Sequence, residues 1–406
     1  MIHSQISVKT KGDKVAMNIV VLGGAGLMGR YAVRDLVLNP EVDQVTIADL
    51  DGDLARQVAA ILDSPKIQVQ PVDATDHSSL LSVLKGADSL LNATVYYFNL
   101  SVMEACLEAG VHYVDMGGLF YTTRKQLDLH ERFQAAGITA VLGMGSAPGI
   151  PNVQAHYAAQ RLDTVETIHI YDGIKPPPGD DIFFGYAVPT IIDELTMPPM
   201  VYRNGEFVAC EPLSEPEEYW FEPPIGLLKT HLSLHSEVAT LPLTFADKGV
   251  QECFFKINYW GISEEALHKI KLFADVGFAS SEPVEVKGVS VRPRDLLVKL
   301  MAPYTPPLDA FMAEPADPTD WKKEIVTEVA GMQDRERVTY RLGTLTAVGS
   351  RPTGVAPAII AHWLASDRIL EAGIFPSEAI IDPEPFFAEL AKRDIHTRIS
   401  VTRSLA

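Results

Sequence analysis

The sequence predicts an α/β protein: a doubly wound parallel sheet interrupted by an α+β domain. Three observations point there. A glycine-rich turn follows an apolar strand early in the chain, and an acid closes the next apolar strand. Strand-length apolar runs then alternate with helical patterns up to residue 150. Beyond a proline-rich break the apolar period becomes strand-like, and it turns helical again only after residue 350. A chain of 406 residues exceeds what one core organises, so more than one domain is expected.

Residues 1–16 are polar with scattered lysines and read as a flexible tail, without the apolar core of a secretory signal. A first domain is expected over residues 17–150. Its opening strand, Asn18–Leu22, runs into Gly23-Gly24-Ala25-Gly26-Leu27-Met28-Gly29. Gly24, Gly26 and Gly29 fit the G-x-G-x-x-G spacing of a dinucleotide-binding turn. The first glycine permits the turn, the second lets a pyrophosphate approach the backbone, and the third lets the helix pack on the strand. The helical pattern starts at Leu27, so Leu27 and Met28 sit where a helix N-terminus offers N–H groups to phosphates. The second strand, Val45–Ala48, ends in Asp49, twenty residues after Gly29, where a ribose-binding acid belongs. A carboxylate there accepts hydrogen bonds from a free 2′-hydroxyl and repels a 2′-phosphate. Residues 50–53 bring no cation, and Arg56 is the nearest in sequence, so NAD is expected in preference to NADP.

The remaining strands of this domain are expected at Ile67–Val72, Ser89–Leu91, His112–Asp115 and Thr139–Leu142. Helical patterns such as Ser78–Leu84 and Leu100–Ala109 lie between them, the latter opened by Asn99 or Ser101 and closed by Gly110. Together they describe a Rossmann-type sheet, in which ligands bind beyond the carboxyl ends of the strands. Asp73 follows the third strand. It either reaches the adenine edge, with Ala74 on the ring, or caps the next helix. Asn92, Ala93 and Thr94 follow the fourth strand and border the nicotinamide ribose. Asn92 either bonds the ribose or satisfies the turn. Asp115 ends the fifth strand before Gly117-Gly118. It either faces a substrate amine or the nicotinamide, or accepts backbone N–H groups in a tight turn.

Residues 151–350 are expected to form the α+β substrate domain, with period-2 strands at Val165–Tyr171, Phe254–Tyr259 and Arg335–Leu342. Its densest polar cluster is His231-Leu232-Ser233-Leu234-His235-Ser236-Glu237-Val238-Ala239-Thr240. On a strand, His231, His235 and Glu237 would share a face. His235 is the natural proton acceptor near neutral pH, and Glu237 orients it or binds an amine. Zinc is the other use of such a cluster, but no third ligand stands at usable spacing, so no metal is expected. Thr240, Tyr97, Lys229 and His231 are candidate substrate contacts. The tyrosine has packing, and the lysine solvation, as its plainer role. Tyr96 shares the reading of Tyr97. Residues 351–406 carry helical patterns at Val355–Leu364 and Pro385–Lys392 and are expected to return to the nucleotide domain.

The net charge of −19 argues against a nucleic-acid partner, which needs a basic face, and mildly favours a neutral or cationic substrate. Cys106, Cys210 and Cys253 are scattered and odd in number, which excludes a disulfide framework. No apolar run reaches the roughly 18–20 residues that span a membrane. A cytoplasmic setting is expected.

Several motifs together resemble the saccharopine dehydrogenase superfamily, most nearly its lysine 6-dehydrogenase group. They are the glycine turn, Glu108-Ala109-Gly110-Val111-His112-Tyr113-Val114-Asp115, Pro148-Gly149-Ile150-Pro151-Asn152 and His235-Ser236-Glu237-Val238-Ala239-Thr240-Leu241-Pro242. Thr353-Gly354-Val355-Ala356-Pro357-Ala358 and Ile381-Asp382-Pro383-Glu384-Pro385-Phe386-Phe387 complete the set, so the resemblance runs through most of the chain from Met17. It implies a Rossmann domain interrupted by a substrate domain that also mediates dimerisation, giving a homodimer or higher homo-oligomer. It implies NAD(P)-dependent chemistry on a carbon–nitrogen bond of a small amine. In the lysine 6-dehydrogenase form, the side-chain amine of L-lysine is oxidised to an imine that water hydrolyses. Asp115, His235 and Glu237 would then surround the amine, with His235 as base. A saccharopine-cleaving enzyme is the alternative, and needs further cations. Lys229, Arg203, Arg292 and Arg294 are available, but none lies in an assignable motif. A third form makes carboxypolyamines or opines by reduction. A non-catalytic NAD-binding regulator is the reading from another class.

Overall fold

The computed structural model describes residues 16–175, 184–259 and 262–404, so all but the last residue of the expected tail lies outside it. The first domain supplies β1 (Asn18–Leu22), β2 (Gln44–Asp49), β3 (Ile67–Pro71), β4 (Ser89–Asn92), β5 (His112–Asp115) and β6 (Thr139–Leu142). The middle of the chain adds β7 (Thr164–Ile174), β8 (Met200–Arg203), β9 (Glu206–Ala209), β10 (Glu217–Phe221), β11 (Gly226–Leu232) and β12 (Glu252–Ile257). A small hairpin, β13 (Val284–Val286) and β14 (Val289–Val291), precedes β15 (Lys323–Gln333) and β16 (Glu336–Thr346). β17 (Gly373–Pro376) and β18 (Ile395–Arg403) end the chain.

The nucleotide-domain sheet runs β17-β6-β5-β4-β1-β2-β3, and all its pairings are parallel. Helices cover both faces, so β1 and β4 are buried almost throughout and read as continuous apolar runs. Strand order reverses between β1 and β4, which opens a crevice at their carboxyl ends. The helix after the glycine turn begins at Gly29, two residues later than the pattern suggests, because residues 24–28 are spent on turns. Neither Asn99 nor Ser101 caps the helix Asn99–Ala109. Asn99 turns inward to Asp115 (3.1 Å), Ser101 bonds the Phe98 carbonyl (2.9 Å), and a 3₁₀ turn at Tyr96–Phe98 leads in. Gly110, in the left-handed region (φ 69°), ends the helix as expected.

Among the described residues the second sheet has nine strands, with β10-β11-β12-β7-β15-β16-β18 as its main path, β8 beside β12 and β9 beside β8. One face packs on the helices Ile150–Ala159, Val188–Thr196 and Glu237–Thr244 through Ile168, Ile170, Ile191, Leu195, Val238 and Phe255. β7 continues three residues past the expected Tyr171, so Asp172 joins Ile168 and Ile170 on the inward, even-numbered face. The one-strand reading of His231, His235 and Glu237 fails. β11 stops at Leu232, His235 lies in the turn after it, and Glu237 opens a helix.

The last segment divides between the domains. The helix Arg351–Ala365 packs on the helix Gly29–Leu38, and β17 extends the nucleotide sheet. Residues 395–403 do not follow them: they form β18, paired antiparallel with β16 in the second sheet. Ile395, Thr397, Ile399 and Val401 give that stretch its strand-forming, β-branched alternation.

Candidate active site

The two sheets face each other across a cleft of about 460 Å³ at the carboxyl ends of β1 and β4. Its nucleotide end is built as a cradle. Gly23, with φ 74°, makes the tight turn that the spacing assigned to Gly24, and its N–H donates to the Ala48 carbonyl (2.7 Å). A Cβ on Gly29 would lie 2.2 Å from the Gly23 carbonyl oxygen, so the helix approaches the turn as closely as backbone allows. No side chain caps that helix, which leaves its first N–H groups facing the cleft beside Gly26, Leu27 and Met28. Asp49 lines the same end. Its carboxylate accepts from the N–H of Ala25 (3.0 Å) and of Asp51 (3.1 Å). Arg56 is tied to Asp53, and Asp51 caps the next helix. The glycine cradle, the open helix end and the acid fit a dinucleotide.

Ala93 and Thr94 line the cleft, but several expected contacts do not. Asn92 is buried beneath the turn. Its amide donates to Asn99 (3.0 Å) and Tyr113 (3.2 Å), while its oxygen accepts from the Thr94 N–H and hydroxyl. Asp73 closes an exposed turn by accepting from the Thr75 N–H (2.8 Å) and hydroxyl (2.7 Å), and Asp76 caps the helix that follows. Ala74 packs against the apolar cluster under β4. Asp115 is 1 % exposed and accepts from Gly117 N, Gly143 N, Asn99, Tyr113 and Gln126 at 2.6–3.1 Å. Five donors exhaust a carboxylate's roughly four lone-pair directions, so Asp115 organises the floor of the cleft and cannot also hold a substrate. Burial raises its pKa, and those donors oppose the shift.

At the far end, His235 faces the cleft and stacks on Phe255 (centroids 3.8 Å apart). Glu237 accepts from its Nδ1 (2.7 Å), which leaves Nε2 free toward the cleft, 3.9 Å from Glu194 Oε1. Asp172, Glu194, Tyr186 and Lys323 complete this wall. Tyr186 donates to Glu194 Oε2 (2.6 Å), and Lys323 Nζ lies 2.8 Å from Asp172 Oδ2. Among the described lining residues, Asp49, Asp172 and Glu194 are acids and Lys323 is the sole lysine or arginine. Asp172 Oδ1 and Glu237 Oε1 are buried with no hydrogen-bond partner.

Burial raises the Asp172 carboxyl, against the pull of Lys323. Burial also pushes Glu194 up to about 7, opposed by His235 and Tyr186. For His235, burial disfavours the imidazolium, but Glu237, Glu194 and Asp172 outweigh it and hold the ring above its ordinary value. A buried acid raised in this way favours folding while protonated. Glu194's contribution is complete below its ordinary range near 4.5 and is lost as pH rises through about 7. Glu194→Gln, which mimics the protonated form, is therefore expected to stabilise the fold by ~3 kcal/mol at pH 8 and hardly at all at pH 4. Chemical denaturation at the two pH values measures this, and equal effects at both would contradict it.

The remaining candidates lie elsewhere. Tyr97 is half-exposed outside the cleft, bonded to Asp193 and Arg294, whereas its neighbour Tyr96 does line the cleft and donates to Asp193 (3.1 Å). Lys229 and His231 both bind Glu264 (2.9 and 2.8 Å) away from the cleft, and Thr240 is buried in the helix behind His235. The sequence did hold a signal for the missed acids. Glu194 stands three residues after Ile191 on an apolar helix face, and Asp172 continues an apolar strand face. An acid in either place is costly unless it is used.

Two family descriptions match the chain: the saccharopine dehydrogenase NADP binding domain over residues 19–141 and the saccharopine dehydrogenase C-terminal domain over residues 145–395. A carboxyaminopropylagmatine dehydrogenase from Synechocystis is 25% identical over 394 residues, 92% of this chain and 95% of that one. A carboxynorspermidine synthase from Vibrio alginolyticus is 27% identical over 79% of this chain and 80% of its own. Among solved structures, the L-Glu-forming saccharopine dehydrogenase of Saccharomyces cerevisiae superposes with a TM-score of 0.66 at 16% identity, covering 95% of this chain and all of that one. The homospermidine synthase of Legionella pneumophila gives 0.64 at 14% identity, over 96% and 91%. At such identities these two likenesses are of fold.

Proposed function

The chain belongs to the saccharopine dehydrogenase family of NAD(P)-dependent oxidoreductases acting on carbon–nitrogen bonds, and we propose that within it this enzyme forms carboxylated polyamines. In this reading a polyamine condenses with a carboxylated aldehyde, and the imine is reduced to a secondary amine. The observation that carries it is the charge of the cleft. Asp172 and Glu194 form an acidic, desolvated wall suited to a cation, while the one lysine is already paired with Asp172. Saccharopine carries three carboxylates and would meet one lysine, already paired, and the His235 ring. Arg203 and Arg294, two of the cations available to it in sequence, are bound to Glu215 and Asp193 outside the cleft. The expected oxidation of L-lysine gives way as well. The full-length relatives are named for carboxylated polyamine products, and an acidic wall suits a polycation better than an amino acid.

Each group then has a role. Asp172 and Glu194 draw in the ammonium. His235, its tautomer fixed by Glu237, takes a proton from the attacking nitrogen. Lys323 has N–H donors beyond the one used on Asp172 and holds the carboxylate of the aldehyde partner. Met116, Leu119, Ile174 and Ile257 line the space between and keep water from the imine. The Gly23–Gly29 turn and Asp49 would hold the dinucleotide, which when bound would supply the hydride that reduces the imine. Asp49 and the absence of a free cation after it favour NADH over NADPH. A second copy of the chain is part of the same reading: Leu272, Phe273, Val276, Val289 and Leu300 leave an apolar surface exposed on the middle domain. So is a cytoplasmic setting, which suits three unpaired cysteines. No described helix is long and apolar enough to cross a membrane.

The test is consumption of each reduced nicotinamide with agmatine, 1,3-diaminopropane or putrescine plus 2-amino-4-oxobutanoate, alongside lysine and saccharopine oxidation. Turnover with a polyamine, and none with the two amino acids, is expected. Turnover of lysine or saccharopine alone would overturn the proposal.

A further inference from the structure

The condensation moves two protons, which a single base carries only by acting twice. A polyamine arrives as an ammonium, R–NH₃⁺, and leaves the condensation as an iminium, R–NH⁺=CHR′. The carbonyl oxygen departs as water. Nitrogen therefore loses two protons, oxygen gains two, and charge is conserved. His235 Nε2 is one acceptor facing the nitrogen, and it can carry one proton at a time. Resting on the reading above, we infer that Glu194 is the second proton carrier: Glu194 Oε1 and His235 Nε2 bracket the reacting nitrogen, each taking one proton from it and returning that proton to the departing oxygen.

The geometry supports a bracket. The two atoms are 3.9 Å apart, too far to bond each other directly. Hydrogen bonds of about 2.9 Å from each meet at a point about 2 Å off the line between them, so one nitrogen can bond both. Both side chains are held from behind. Glu237 fixes His235 through Nδ1, and Phe255 supports the ring. Tyr186 donates to Glu194 Oε2 at 2.6 Å, which turns Oε1 to the cleft. Ser233 lies 3.5 Å from the same oxygen and receives the Tyr259 hydroxyl at 3.2 Å. Tyr186 and Ser233 are thus positioning residues. The other charges facing the pair are Glu237 and the Asp172–Lys323 couple. Burial keeps Glu194 near 7, so it exchanges protons at neutral pH, which an ordinary glutamate would do poorly.

Glu194→Gln keeps the shape and the Tyr186 bond and removes the proton site. In a polyamine–aldehyde assay with wild type turning over, kcat is expected to fall about 10²-fold or more, a larger effect than the rise in KM that loss of the carboxylate's charge brings. The limb of the pH–rate profile near 7 should vanish, and Glu194→Asp should recover part of both. A Gln variant that keeps kcat and raises only KM would reduce Glu194 to a charge contact and overturn the inference. A second measurement needs no substrate: NMR titration of the His235 ring in wild type and in Glu194→Gln. The variant's ring is expected to titrate at lower pH, and an unchanged titration would show that the two groups do not share a site. If the wild type turns over no polyamine, the proposed function falls, while this titration still decides whether the bracket exists.

Discussion

Replacing His235 by alanine is expected to lower kcat by about 10²- to 10⁴-fold, the range usual for removing a general base. The single variant does more than remove a base. Glu237 is 0 % exposed and has His235 as its hydrogen-bond partner, so alanine leaves a buried carboxylate unpaired. That costs about 3–5 kcal/mol of stability, and the lost stack on Phe255 adds a cavity. Chemistry and folding separate in the double variant His235→Ala/Glu237→Gln. The neutral amide needs no cation, so most of the stability should return while kcat stays low. Recovery of both would make the histidine a partner for Glu237 and nothing more.

Gly29→Ala is expected to weaken dinucleotide binding by one to two orders of magnitude while leaving the second sheet intact. The new Cβ would stand 2.2 Å from the Gly23 carbonyl oxygen and 2.8 Å from Gly24 Cα, all backbone, so no side chain can swing aside. Either the turn reopens or the helix Gly29–Leu38 shifts, and both move the N–H groups that face the phosphates. Overpacking of this kind costs about 1–3 kcal/mol, and a penalty of that size falling on binding is roughly 5- to 150-fold in affinity. Fluorescence titration with each reduced nicotinamide measures the loss. Unchanged affinity would mean that the dinucleotide does not lie on this turn.

The nucleotide half was legible because buried parallel strands write themselves as short apolar runs between helical patterns. β5 and β6 begin and end where the sequence puts them. The roles of the polar residues at the strand ends were not. Asp115, Asn92 and Asp73 stand where ligand-binding residues stand, but an acid or amide there looks the same in sequence whether its lone pairs meet a ligand or a turn. Only the donors gathered by folding, five of them at Asp115, decide. In the middle domain the cluster around His235 was visible, and its face was not, because parity arguments end where a strand ends, at Leu232. Asp172 and Lys323 become neighbours only through the pairing of β7 with β15, which joins distant parts of the chain. Glu194 was hidden in an otherwise apolar helix, where its cost to the fold was the clue.

In the proposed reaction this cleft joins a polyamine to a carboxylated aldehyde by reducing the imine between them. The most direct measurement is the mass of the product formed from agmatine or 1,3-diaminopropane, 2-amino-4-oxobutanoate and a reduced nicotinamide carrying deuterium at its transferable position. The expected product is a secondary amine with the summed mass of its two precursors, less one water, plus one deuterium and one hydrogen, formed in step with oxidised nicotinamide. Nicotinamide oxidation that leaves the amine unmodified, or a product without deuterium, would rule out reductive condensation in this cleft.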